Sequence, residues 1–223
     1  MVIIRPFPWP ISARAIFLLA FSVISLTEVD AKSPKASGRV IIVMDASASM
    51  WEEVSGGSKM EVAREAVSEM VTNLDSNLAL GLMAYGHRRE GDCGDVELLV
   101  PPQVGDSSRK AVIDAVQGIV PKGKTPLGRA VLQAAEALNF EESRATVILI
   151  SDGLETCGLD SCAVGETLSR RGIDFVCHVI GFDLSEEEQK ALSCLSATTG
   201  GLFLPANDAA TLRDSLNRAM ESV

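Results

Sequence analysis

The run Val40-Ile-Ile-Val-Met44 is apolar at every position, mostly β-branched, and stops abruptly at Asp45. A strand without polar alternation is buried on both faces, and such strands belong to parallel sheets covered by helices. Residues 79–85, 146–150 and 173–180 repeat the pattern. Helical stripes separate these runs. Met60, Ala63, Val67, Met70, Val71 and Leu74 recur at helical spacing, as do Ala111, Val112, Ala115, Val116 and Ile119. Another stripe, Leu127, Ala130, Val131, Ala134 and Leu138, follows Pro126, and proline at a first helical position is favourable. Residues 162–170 read as a helix closed by Gly172. Residues 185–198 read as one closed by Gly200-Gly201, with a capping box from Ser185 and Glu188. Residues 209–220 form a last amphipathic stripe.

Two short strands complete the pattern. Residues 96–100 are stopped by Pro101-Pro102, which suits a sheet edge; residues 202–204 form the other. The alternation predicts an α/β fold: an open, doubly wound, mostly parallel central sheet flanked by helices, with one short antiparallel edge strand. The folded domain is expected over residues 39–223, behind a small, polar linker at residues 32–38.

In such sheets ligands bind in the crevice beyond the carboxyl ends of the strands, and the polar residues of this chain collect there. Asp45 closes the first strand, and Ser47 and Ser49 follow at alternate positions, a spacing that lets all three side chains point one way. Asp152 closes another strand within Ser151-Asp152-Gly153, and Thr125 stands in Lys122-Gly-Lys-Thr125-Pro126 at a helix start. Singly, such residues are ordinary caps and turn formers. Together they offer three hydroxyls and two carboxylates, an all-oxygen set that suits a hard divalent cation, Mg2+ first, with Mn2+ and Ca2+ as alternatives. Few charged ligands leave the ion incompletely neutralised, so a carboxylate from a partner protein can complete it. That is binding, not catalysis, and the chain is expected not to be an enzyme.

Asp45-Ala-Ser47-Ala-Ser49, Thr125 before proline, and Ser151-Asp152-Gly153 resemble the metal-ion-dependent adhesion site of the von Willebrand factor A family. The resemblance covers the chain from about residue 38 to its end, including strand and helix order. It implies a Rossmann-like fold in which Ser47, Ser49 and Thr125 ligate the metal, while Asp45 and Asp152 act largely through water or from behind the ligands. The segments Tyr85-Gly-His-Arg-Arg-Glu-Gly-Asp-Cys93-Gly-Asp95 and Glu155-Thr-Cys157 are similar to those of bacterial exported A-domain proteins.

Composition narrows the partners. A formal net charge of −10 argues against nucleic acid, because phosphate neutralisation needs clustered Lys and Arg. Arg5 and Arg14 precede an apolar run over residues 15–26, and small residues flank a cut near residue 31. Those are the parts of a secretory signal peptide, expected over residues 1–31, with an uncleaved anchor as the alternative. The apolar run is too short to span a bilayer comfortably, and no membrane span is expected in the mature chain, which should be periplasmic or secreted. In that oxidising setting Cys93, Cys157, Cys162, Cys177 and Cys194 can form disulfides, with at least one left over and the pairing open.

Other readings fit less well. A haloacid dehalogenase-type phosphoryl-transfer enzyme wants a second carboxylate where this chain has Ser47. A nucleophile elbow and a phosphate loop are both missing, and Pro121-Lys-Gly-Lys-Thr125 only echoes the latter. Zinc lacks a ligand set, since Cys157 and Cys162 have no matching second pair. A structural domain that binds without metal is the third class. His178 is expected as a hydrogen-bonded core residue and His87 as a solvated loop residue. The mixed-charge loop over residues 87–95 is read either as solvated surface or as a source of partner selectivity.

Overall fold

The computed structural model describes residue 3 and residues 37–223, the latter within the unit Pro34–Val223. Apart from residue 3, the expected signal peptide lies outside the described residues, as does most of the expected linker. Strand β1 (Arg39–Asp45) is buried along nearly its whole length, as its sequence requires. A 3-10 turn (Ala48–Trp51) and a two-residue antiparallel pair, β2 (Glu53–Val54) with β3 (Gly57–Ser58), lead into α1 (Lys59–Thr72). Then come β4 (Ala79–Tyr85), β5 (Val96–Gln103), α2 (Asp106–Gln117), α3 (Leu127–Ala137) and β6 (Ala145–Ser151). The chain continues through α4 (Ser161–Arg171), β7 (Phe175–Phe182), α5 (Glu186–Thr198), β8 (Phe203–Ala206) and α6 (Ala209–Glu221).

Six strands form one sheet in the order β5-β4-β1-β6-β7-β8, parallel except for β5 against β4. Alternate side chains of β1 enter two separate cores. Val40, Ile42 and Met44 meet α1, α2 and α6, whereas Ile41 and Val43 meet α3, α4 and α5. The period-two geometry of a strand thus explains the unbroken apolar run: each face has its own helical layer. After β1 the chain first builds toward β4, then returns to place β6 on the other side of β1. The switch point therefore lies between β1 and β6, and the crevice at their carboxyl ends is where this topology places a ligand.

Local signals account for several boundaries. Ser58 with Glu61, and Ser185 with Glu188, form reciprocal capping boxes, each satisfying donors that a helix start leaves unpaired. Asp160 caps α4 by accepting from the Cys162 and Ala163 amides.

Three expectations need correction, and one element was not expected. The edge strand is not stopped by Pro101-Pro102 but runs through them, and its pairing with β4 shifts register there. An edge strand tolerates prolines at such an irregularity because fewer of its amides are committed to the ladder. The β2–β3 pair carries too little sequence signal to be expected. Ile173 precedes β7 and is largely exposed, since Gly172 and Asp174 extend the turn after α4. Pro126 occupies the cap position, one residue before α3 begins.

Cys93 is joined to Cys157 and Cys162 to Cys194, leaving Cys177 free inside β7. Two disulfides fit an oxidising, extracytoplasmic compartment. Among the described residues no helix is long and apolar enough to cross a membrane.

Candidate metal centre

Asp45 is the last residue of β1 and is completely buried. An unpaired buried carboxylate is costly, and the chain meets that cost with donors. Oδ1 accepts the Ser47 amide at 2.7 Å, which folds the loop back after the strand. Oδ2 accepts the Tyr85 hydroxyl and the Ser151 hydroxyl, each at 2.7 Å, and those two hydroxyls stand 3.0 Å apart. Asp45 thereby links the ends of β1, β4 and β6. Burial raises its pKa above the ordinary carboxylate value, and the hydrogen bonds from Ser47, Ser151 and Tyr85 oppose that rise.

The serines lie beyond this anchor. Ser47 Oγ stands 3.1 Å from Ser49 Oγ, and Ser49 Oγ donates to Asp152 Oδ1 at 2.9 Å. Ser49 is on the 3-10 turn rather than in an extended segment, so the loop curls to bring the two hydroxyls together. Asp152, on the turn after β6, has a fully buried carboxylate. Burial and then the Asp45 charge push its pKa up to about 7, against the pull of Lys59 and Ser49.

The loop that carries Thr125 is docked through its backbone, and among the described residues no hydrogen bond joins the Thr125 hydroxyl to Ser47, Ser49 or Asp152. The loop before α3 is stitched to the Asp45–Ser49 segment by the Ala48 amide on the Gly123 carbonyl at 3.1 Å and the Lys122 amide on the Ala46 carbonyl at 3.0 Å. The Trp51 indole N–H adds a bond to the Pro121 carbonyl at 2.9 Å. Gly86 makes this close approach feasible: its φ is +69°, and a Cβ there would come within 2.5 Å of the Lys124 carbonyl oxygen. On the other side, the Thr125 amide donates to Thr156 Oγ1 at 2.9 Å, and the Thr156 amide returns a bond to the Thr125 carbonyl at 3.1 Å. Thr125 itself is 5% exposed.

The surrounding loops are braced from within, although residues 88–91 remain exposed to solvent. Asp95 is buried and accepts the Arg88 and Arg89 amides and Arg88 Nε, at 2.7, 2.9 and 2.7 Å. Those bonds hold its carboxyl below the ordinary range despite burial. His87 is not a solvated residue: its side chain is 9% exposed and its Nε2 lies 2.9 Å from Glu97. Glu155 accepts the Gly128 amide at the start of α3, and the Cys93–Cys157 bridge ties this turn to the 87–95 loop. His178, by contrast, is the expected core residue, buried and bonded to the Leu202 amide and to Ser222.

Four contributors are missing from the sequence-based expectation: Tyr85, Ser151, Thr156 and Lys59. Lys59 is buried, with Nζ 3.3 Å from Asp152 Oδ2. A signal for it did exist in the sequence, because a lysine opening a helix opposes the helix dipole and needs a local reason.

A mostly parallel sheet whose carboxyl rim carries clustered hydroxyls and aspartates at its switch point defines a doubly wound α/β domain. The family model for the von Willebrand factor type A domain matches residues 40–155, just over half of the chain, and the chain belongs to that family. The Bacillus subtilis protein YwmD is 26% identical over 207 residues, covering 86% of this chain and 92% of its own. Among solved structures, the pilus adhesin SpaC of Lactobacillus rhamnosus GG superposes with a TM-score of 0.69 at 15% identity, covering 85% of this chain and 31% of SpaC. Proximal thread matrix protein 1 of the mussel byssus, solved with a zinc-occupied adhesion-site motif, gives a TM-score of 0.59 at 16% identity, covering 84% and 48%.

Proposed function

We propose that this domain is a protein-binding module that captures an acidic group of a partner through a divalent cation, Mg2+ first, held by Ser47, Ser49 and Thr125 with Asp45 and Asp152. The observation that carries the reading is the row of oxygens from Ser47 through Ser49 to Asp152, spaced at 3.1 and 2.9 Å. Neighbouring oxygens around an octahedral Mg2+ stand about 3.0 Å apart, given metal–oxygen distances of about 2.1 Å. The donor set fits the ion in chemistry as well, being all oxygen.

A divalent ion held there supplies a Lewis-acidic position that the chain leaves open for a partner's carboxylate. The chain's own residues do the positioning. Asp45 has both oxygens engaged by Ser47, Tyr85 and Ser151, so it fixes the serine loop. The same engagement speaks against Asp45 as the free nucleophile of a phosphoryl-transfer enzyme. The family match and the zinc-occupied relative support the same reading. An exported setting, periplasmic or secreted, goes with it and with the disulfides.

Binding of an aspartate-rich peptide, followed by fluorescence anisotropy with Mg2+ and with chelator, tests the proposal. Binding should require Mg2+ and should be lost in Ser49→Ala. Equal binding with chelator would instead favour an interaction surface that uses no metal, and phosphatase turnover dependent on Asp45 would favour an enzyme.

A further inference from the structure

Lys59 opens α1 and is only 2% exposed. Lysine is almost never fully buried unless paired. Here three carboxylates surround Nζ: Glu52 at 2.7 Å, Asp183 at 3.2 Å and Asp152 at 3.3 Å. They come from the segment between β1 and α1, from the turn after β7 and from the turn after β6. Asp183 adopts a left-handed backbone, φ +58°, in the turn that delivers its carboxylate to Lys59, a conformation uncommon for residues other than glycine.

Asp152 is shared: its Oδ1 accepts from Ser49 Oγ at 2.9 Å, and its Oδ2 lies 3.3 Å from Lys59 Nζ. A divalent cation drawing on Asp152 would have to share that carboxylate with Lys59.

We propose that Lys59 is a tethered cation that competes with the divalent ion for Asp152. It holds three loops together when no ion is bound, weakens the chain's own grip on the ion, and so leaves positive charge for an external carboxylate to neutralise. This rests on the metal reading above, with Lys59 as a positioning residue and not a ligand.

The test is the gain in melting temperature on adding Mn2+, compared across wild type, Lys59→Met, Lys190→Gln and Ser47→Ala. Lys59→Met should melt lower than wild type without metal and gain more from Mn2+, with an affinity raised about tenfold or more. Lys190→Gln removes the same charge from an exposed position, where solvent and salt screen it, and should track wild type. If Lys59→Met is unfolded without metal, folding on addition of Mn2+ supports the proposal, and a chain still unfolded in saturating Mn2+ overturns it. A Lys59→Met gain no larger than that of wild type, beside a wild-type gain that Ser47→Ala abolishes, overturns the role of Lys59 and leaves the metal site standing. No gain in any of the four proteins overturns both.

Discussion

Tyr85 donates its hydroxyl to Asp45 Oδ2 at 2.7 Å, and the two residues are register partners at the carboxyl ends of β4 and β1. The pairing of strands thus sets the geometry of the loop that carries Ser47 and Ser49. Burial and the neighbouring Asp45 charge push the Tyr85 phenol well above its ordinary pKa, so it remains a donor. Replacing Tyr85 by Phe removes one bond to a buried carboxylate and should destabilise the fold by about 1.5–3 kcal/mol. Urea unfolding measures this directly. A variant as stable as wild type would mean that Ser151 and the Ser47 amide suffice to hold Asp45.

The Cys93–Cys157 bridge joins the 87–95 loop to the turn whose Thr156 hydroxyl accepts the Thr125 amide. Its partners are 64 residues apart in sequence. Loss of a bridge closing so long a loop typically costs about 2–5 kcal/mol. The double variant Cys93→Ser, Cys157→Ser should therefore melt lower. Because its slack falls on the Thr125 side of the site, it should also bind Mg2+ more weakly, as calorimetry would show. Cys162→Ser with Cys194→Ser serves as comparison: this bridge links α4 to α5, and its loss should lower stability with little change in Mg2+ affinity. Equal Mg2+ affinities in the two double variants would remove the bridge from the account of the site.

His178 gives the fold a pH dependence. Its Nδ1 accepts the Leu202 amide at 3.1 Å, which requires a neutral ring with its proton on Nε2, facing Ser222 Oγ at 3.1 Å. Burial lowers its pKa below the ordinary value of 6.5. The unfolded chain then binds more protons than the folded one between the two pKa values, so stability falls as pH drops from 6.5 through the folded value. The denaturation midpoint measured from pH 7.5 to 5 should decline more steeply for wild type than for His178→Gln. Parallel profiles would show that His178 is not the residue responsible.

Much of this architecture was legible because the signals are local. An apolar run ending at Asp45 announces a doubly buried strand, and Ser185 with Glu188 announces a helix start, since each needs only neighbours within a few residues. The residues around Asp45 escaped for the opposite reason. Its contacts with Tyr85 and Ser151 span 40 and 106 residues, and that of Lys59 with Asp152 spans 93. Strand order and register create these contacts, and no spacing along the chain encodes them. The course of β5 through Pro101-Pro102 is similar, because proline's missing amide matters only relative to where β4 pairs. The burial of His87 is equally invisible in its own loop, because its partner, Glu97, lies on the strand that follows.

The central claim is that Ser47, Ser49, Thr125, Asp45 and Asp152 together hold a divalent cation. The melting temperature of wild type and Ser47→Ala, each in chelator and in Mg2+ at about a hundredfold excess over Kd, tests it most directly. Binding only to the folded state adds about 2.7 kcal/mol at that excess, or roughly 5–10 °C for a domain of this size. Wild type should rise by that amount and Ser47→Ala should not move. A wild type that melts at one temperature in chelator and in Mg2+ would contradict the claim.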